Sequence, residues 1–286
     1  MAKSTIWASN KGESTMAISA KDVMALRQAT GLGMMECKQA LTEADGDIEK
    51  AKDAMRAKGL AKMDGRADRS SAEGRVAAAR SDDGAKAAIV ELNTETDFTA
   101  NNDQFKEMVA QVAGEALSLE AGEVTPNDAI QAAIDQVRLT TKENVQFGRG
   151  VVVGGGATTV GTYVHFNGKV GAVVELEGEG INDELLADLC MHVTAAAPSP
   201  IAIDESGVPA DVVDKEREIA KTQAIEQGKP ENIAKKIVEG KIRKFFEEYV
   251  LLKQPFVKDD KLSVCDILPA GVTIKSFTRM QVGGAG

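Results

Sequence analysis

Cysteine is nearly missing from this chain. Cys37, Cys190 and Cys265 are odd in number and far apart, with no CxxC pair, which excludes a disulfide framework and a zinc site of the usual spacing. Their pattern predicts a reducing, cytoplasmic setting. Aromatic residues make up only 4%, so Ala, Val, Ile, Leu and Met must fill most of any core. No apolar run reaches the roughly 18 residues of a membrane span. Positive charge is short as well: 34 Lys and Arg stand against 44 Asp and Glu, a formal net charge of −10. That argues against broad phosphate binding, which needs clustered cations. The acidic balance favours a protein partner over direct contact with nucleic acid. Met1 to Thr15 lack the apolar stretch of a signal peptide and the Arg content of a transit peptide. They predict a disordered extension over residues 1–17, with Met16 as a candidate start.

What is present is enough chain for two units, at about 150 residues per domain. Residues 18–60 predict three short helices. Ser19 and Asp22 form a capping-box pattern, Val23 and Leu26 follow at helical spacing, and Gly31 ends the first helix. The second carries Met35, Cys37, Ala40 and Leu41 and stops at Asp45-Gly46. Asp47 caps the third, which carries Ile48, Ala51 and Met55 and is expected to end at Gly59. A bundle this small is marginal alone. It is either a structural lid or a docking module. Met34 and Met35, beside a Gly-Leu-Gly turn where full burial is difficult, favour docking. A polar, basic stretch with Arg66 and Arg69 then reads as a linker over 61–73.

Two hairpins follow. Arg75–Arg80 and Lys86–Asn93 flank Asp82-Asp83-Gly84, and Val160–Phe166 and Lys169–Leu176 flank Asn167-Gly168. Each leads through a polar loop into a helix: Asn101–Leu117 after the first and Asp183–Ala196 after the second, with a further helix from Pro126. Val90-Glu91-Leu92 recurs as Val174-Glu175-Leu176, an offset of 84 residues. The chain is therefore read as α+β, with two related subdomains, each a hairpin-bearing sheet with helices on one face. The first is placed at 74–148 and the second at 149–203 plus 252–286. Residues 204–251 are purely helical in pattern. They turn at Gly228-Lys229-Pro230, and they are read as a helical hairpin inserted into the second subdomain. The chain ends on a Gly-rich tail at Gly286.

Catalytic and cofactor motifs fail in turn. Gly154-Gly155-Gly156-Ala157-Thr158-Thr159 has no GK[ST] and does not fit GxGxxG, so it reads as a turn or bulge. Cys190 and His192 stand two apart on a helix and point to different faces, so they do not make a metal pair. Asp82-Asp83 are turn residues. No cofactor is expected. Asp97-Phe98 differs, because it lies in a polar loop, Asn93–Asn102, where neither periodicity places a Phe. The ring either folds back onto its own core or stands out beside a carboxylate as an anchor for a partner. Local sequence favours the inward placement.

Leu26-Arg27-Gln28-Ala29-Thr30-Gly31-Leu32-Gly33-Met34-Met35-Glu36-Cys37-Lys38, with Ala40-Leu41-Thr42-Glu43-Ala44-Asp45-Gly46-Asp47, closely resembles the amino-terminal signature of the elongation factor Ts family. Thr96-Asp97-Phe98-Thr99 looks like its second signature, T-D-F-V, with Thr in place of Val. Met191-His192, Lys229-Pro230, Val238-Glu239-Gly240-Lys241 and Gln254-Pro255-Phe256-Val257 are similar to later blocks. The resemblance spans about residues 17 to 283. It implies a guanine-nucleotide exchange factor, without covalent chemistry, that binds elongation factor Tu in its GDP form and promotes GDP release. By the same resemblance the bundle is UBA-like and docks on the partner through Met34, Met35 and Cys37. Asp97 and Phe98 push between two helices of the partner and disturb its magnesium, with Thr96 and Thr99 in the same loop. His165 touches another partner domain, and the helical insert is a coiled-coil dimerisation element. The chain departs from the family at Thr99 and at Phe166, where some members have Gly. Some longer members carry a further helix beyond Gly283. The alternative is a protein-binding adaptor, since the bundle is also similar to small modules that bind ubiquitin or nascent chains.

Overall fold

A computed structural model describes residues 18–65, 68–228 and 230–284, and for residues 62–64 the backbone only. The extension before Ile18, the start at Met16, Arg66 in the linker, Lys229 in the insert turn and Gly286 in the tail lie outside the described residues. The chain divides into two units, one running to Asp68 together with Arg138–Glu143, the other holding the remainder.

The first unit contains α1 (Ala20–Thr30), α2 (Met34–Glu43) and α3 (Ile48–Asp64). Ser19 Oγ accepts from the Asp22 N–H and donates to the Asp22 carboxylate at 2.7 Å, which closes the start of α1. Asp45 and Gly46 carry the positive φ that breaks the chain after α2. Asp47 Oδ1 accepts from the N–H groups of Glu49 and Lys50 at the head of α3. Val23, Leu26, Cys37, Ala40, Leu41 and Ala51 meet in a small core. The third helix does not stop at Gly59. It runs on to Asp64, so the first residues of the expected 61–73 linker are helical. Leu60, Ala61, Lys62 and Met63 are strong helix formers, and the single Gly59 just before them costs only about 1 kcal/mol.

The second unit begins with β1 (Glu73–Arg80), β2 (Lys86–Thr94), α4 (Asp97–Ala100), α5 (Asp103–Ala116), β3 (Gly122–Glu123), α6 (Asp128–Thr141, in this unit as far as Val137) and β4 (Gln146–Gly154). It continues with β5 (Thr159–Val164), β6 (Val170–Glu177), α7 (Asp183–Ala195), α8 (Ala210–Glu226), α9 (Glu231–Tyr249), β7 (Pro255–Phe256), β8 (Asp259–Ser263) and β9 (Thr273–Gln281). One antiparallel sheet has the order β1-β2-β4-β3 and another β5-β6-β9, while β7 and β8 form a small ribbon. Period-2 alternation sorts β2 onto two faces. Ala88, Val90 and Leu92 pack under Phe105, Met108 and Val112 of α5 and Ile130 and Ile134 of α6. Ile89 instead meets Val76, Val160, Val173 and Met280 between the two sheets. In β6 the same alternation sends Val174 and Leu176 against Leu186, Leu189 and Val193 of α7. The result is helix, sheet, sheet, helix, an α+β architecture.

The 84-residue offset extends well beyond the tripeptide. Gly84 and Gly168 both take positive φ, at +71° and +68°. Each closes a tight turn, with Gly84 N–H donating to Ser81 O and Gly168 N–H to His165 O. Gly84 O then accepts from Val160 N–H, and Gly168 O accepts from Val76 N–H. Each hairpin tip is thus tied to the first strand of the other by equivalent bonds. Register slips by one residue after Glu91 on the β2–β4 side and after Glu175 on the β6–β9 side, again at equivalent positions.

One expected boundary is corrected. The division between residues 148 and 149 falls inside β4, which pairs with β2 from Lys86↔Gly154 to Asn93↔Gln146, so this whole strand belongs to the first sheet. Its glycines concealed it. A Cβ on Gly148 would come within 2.2 Å of Asn93 Oδ1, so the small residue is required by close approach of the neighbouring strand. The helix expected from Pro126 starts after Asn127, whose Oδ1 accepts from Ile130 N–H.

The helical insert is rooted at a buried histidine. His192 Nδ1 accepts from Val257 N–H, and His192 Nε2 lies 3.0 Å from Gln254 Oε1, which fixes the proton on Nε2. Gln254 Nε2 donates onward to Pro198 O and Glu248 O, at the entry and exit of the insert. Burial holds the His192 imidazole below its usual 6.5. The unfolded chain therefore takes up this proton first as pH falls. The stabilisation is fully present above about 6.5 and is lost progressively below it. The urea midpoint of unfolding is expected to fall between about pH 7.5 and pH 5.5, a range above that of most carboxylates. A flat midpoint over that range would contradict the assignment.

Candidate functional site

The loop expected to be irregular contains one turn of helix. Thr96 Oγ1 accepts from Thr99 N–H at 3.3 Å and caps α4, and Asn101 N–H and Nδ2 both return to Asp97 O at 2.9 Å. Asn102 then caps α5 through its Oδ1 and Gln104 N–H, so the helix expected from Asn101 starts at Asp103. Upstream, the Glu95 carboxylate accepts from Asn144 N–H at 2.7 Å and from Arg69 at 3.2 Å. A short segment bonded at both ends has a defined shape.

This shape decides the placement of Phe98. On α4, Thr99 and Ala100 turn inward against β1 and β2, and Asp97 and Phe98 turn outward. Phe98 is 84% exposed. The inward placement favoured by local sequence is wrong, because the helical turn gives that side of the loop to Thr99 and Ala100. Thr99, counted among the partner-facing residues, is instead buried at 8% exposure. The departure from the family's Val therefore falls on the floor of the loop. Thr99→Val is expected to leave the partner-directed activity unchanged, with at most a small shift in melting temperature. A lost activity in an intact fold would place Thr99 on the working surface.

His165 occupies the turn between β5 and β6. It is half-buried, with Tyr163 Oη 3.3 Å from its Nδ1 and the Phe166 ring 4.5 Å away, centroid to centroid. The same turn is joined to the α4 loop through Arg75. Val76 N–H bonds Gly168 O, the Arg75 guanidinium lies over Gly168, and Arg75 Nη1 donates to Asn101 Oδ1 at 3.3 Å. Thr96, Asp97, Phe98 and His165 thus belong to one connected surface of the second unit. No sequence pattern links Arg75 to Asn101, so this junction was missed.

In the first unit, Met34 and Met35 are 42% and 77% exposed. Met24 on α1, also exposed, was not singled out. Cys37 is the exception. It is fully buried beside Leu26 and Leu41, its thiol 3.8 Å from Thr30 Oγ1, and it cannot dock a partner. The spacing Cys37, Ala40, Leu41 is that of a core stripe and carried the signal.

Among the described residues no group of three or more His, Cys, Asp or Glu could hold a metal ion. Burial pushes the Cys190 thiol up to about 12, far from nucleophilic use. The surface is one of exposed apolar anchors with a neighbouring carboxylate, suited to contact with a protein. No helix of the described residues is long and apolar enough to cross a membrane.

The family model described as elongation factor TS matches residues 95–284, beginning just before α4. Similar proteins include elongation factor Ts of Halorhodospira halophila, 43% identical over 94% of this chain and 93% of its own length. Those of Aquifex aeolicus and Prosthecochloris aestuarii are 37% and 40% identical, and 99% of each is covered. The chain belongs to the elongation factor Ts family. It is accordingly a factor of translation elongation. The elongation factor Ts match takes in the α4 loop, β3 and β4 of the first sheet, the whole β5-β6-β9 sheet and the helical insert, and the relatives extend it over the first hairpin and the amino-terminal bundle.

Proposed function

We propose that this chain is a guanine-nucleotide exchange factor for elongation factor Tu, binding its GDP form and accelerating GDP release so that GTP can load. The observation that carries the reading is Phe98: a large ring, almost fully exposed, on a capped turn with a buried floor. The Asp97 carboxylate is exposed beside it. Burying one such ring in a partner contributes roughly 1.5–3 kcal/mol. That energy drives the pair between two helices of the partner's nucleotide-binding domain. Magnesium holds the phosphates largely through charge, so a small displacement of its surroundings loosens GDP. Met34 and Met35 dock the bundle on the same domain, and His165 touches another. No bond in the nucleotide is made or broken.

Linkage makes the mechanism reciprocal. If the factor weakens GDP binding, GDP weakens the factor's binding by the same ratio. Titration calorimetry with nucleotide-free and GDP-bound elongation factor Tu is expected to show a clear preference for the nucleotide-free form. Equal affinity for the two would leave no free energy for exchange and would end this reading.

A further inference from the structure

We propose that Phe166 is a second apolar anchor for the same GTPase, one that supplies affinity while Phe98 supplies exchange. The inference rests on the exchange reading above and adds a residue to its working surface. Phe166 is 88% exposed, more than any other large apolar side chain among the described residues. An isolated exposed apolar residue is ordinary on a protein surface. Three features set this one apart.

The first is that the turn does not need it. The two hairpin tips are built alike, each closed by an N–H of a positive-φ Gly onto the carbonyl three residues earlier. At the position of Phe166 the first tip carries Asp82, a residue with the polarity that turns favour. The same backbone is thus made without an aromatic ring, so Phe166 answers to something outside the hairpin. The second is rigidity. The turn is pinned at both ends by His165 N–H to Val170 O and by Val76 N–H to Gly168 O, and the ring leans on His165. An anchor held in place loses little freedom on binding. The third is continuity. Arg75 spans from the Gly168 turn to Asn101, which closes α4 and its exposed Phe98. A protein that covers Phe98 therefore has Phe166 on the adjoining connected surface, and aromatic side chains are what protein interfaces concentrate at their centres.

The two rings divide the work. Phe166 stands on a different element from the Asp97-Phe98 pair. Its contact is expected to form equally whether the partner holds GDP or has released it. Such uniform binding lowers the concentration of factor needed and leaves the maximal rate alone.

The test is GDP release from elongation factor Tu, followed with a fluorescent GDP at rising concentrations of the full chain. Phe166→Ala is expected to raise the half-saturating concentration about tenfold and to hold the maximal release rate within about twofold. Phe166→Leu should recover most of the loss, because it restores apolar area. The melting temperature of both variants should match the wild type. An unchanged half-saturating concentration for Phe166→Ala overturns the proposal, and so does a Leu variant no better than Ala. A lowered melting temperature would assign the ring to the hairpin instead. A wild-type chain that does not accelerate release would overturn the exchange reading itself, and this proposal with it.

Discussion

Phe98→Ala is expected to slow elongation factor Tu–GDP dissociation at saturating factor by at least about tenfold, with an unaltered fold. The size follows from one ring: roughly 1.5–3 kcal/mol of burial, at about 1.4 kcal/mol per factor of ten. The intact fold follows from the exposure of the side chain, which leaves almost no internal contact to lose. The Thr96 cap and the Asn101 return to Asp97 involve backbone groups that the substitution keeps. Matching circular dichroism and melting temperature with a reduced rate would show that the ring acts on the partner. An unchanged rate would remove Phe98 from the mechanism.

Phe105→Ala should do the reverse. Phe105 lies on the next helix, fully buried among Val90, Leu92, Met108 and Val109. Removing that ring leaves a cavity in a dense core as well as losing its transfer free energy, and such changes cost about 3–5 kcal/mol. That is a large part of the stability of an ordinary domain. The urea midpoint should fall sharply. Where the variant is still folded, exchange should be retained, because the α4 loop is held by its own hydrogen bonds. A loss below about 1 kcal/mol would mean that the α5 core is looser than its burial indicates.

The hairpins were legible because Asp83-Gly84 and Asn167-Gly168 place a glycine where the chain needs positive φ. The bundle was legible because Ser19 and Asp47 are side chains that start helices. β4 was not, since Gly148 and Gly150 erase the alternation that marks a strand and their reason is a neighbour distant in sequence. Local sequence alone set Phe98 inward, and only the family resemblance set it outward, for a related cause. One turn of helix is too short to show periodicity, yet it decides that Thr99 goes in and Phe98 goes out. Cys37 was misplaced for another: the signature that suggested docking also contains core positions, and spacing alone separates them. The Gln254-to-Val257 block, legible only as a resemblance, has a physical basis in the structure, where its two ends hold His192 at the root of the insert.

The most direct test of the central claim is stopped-flow release of a fluorescent GDP from elongation factor Tu, with and without this chain. The account predicts a release rate that climbs with factor concentration and saturates well above the spontaneous rate. Release at the spontaneous rate, at concentrations where the two proteins bind, would contradict it.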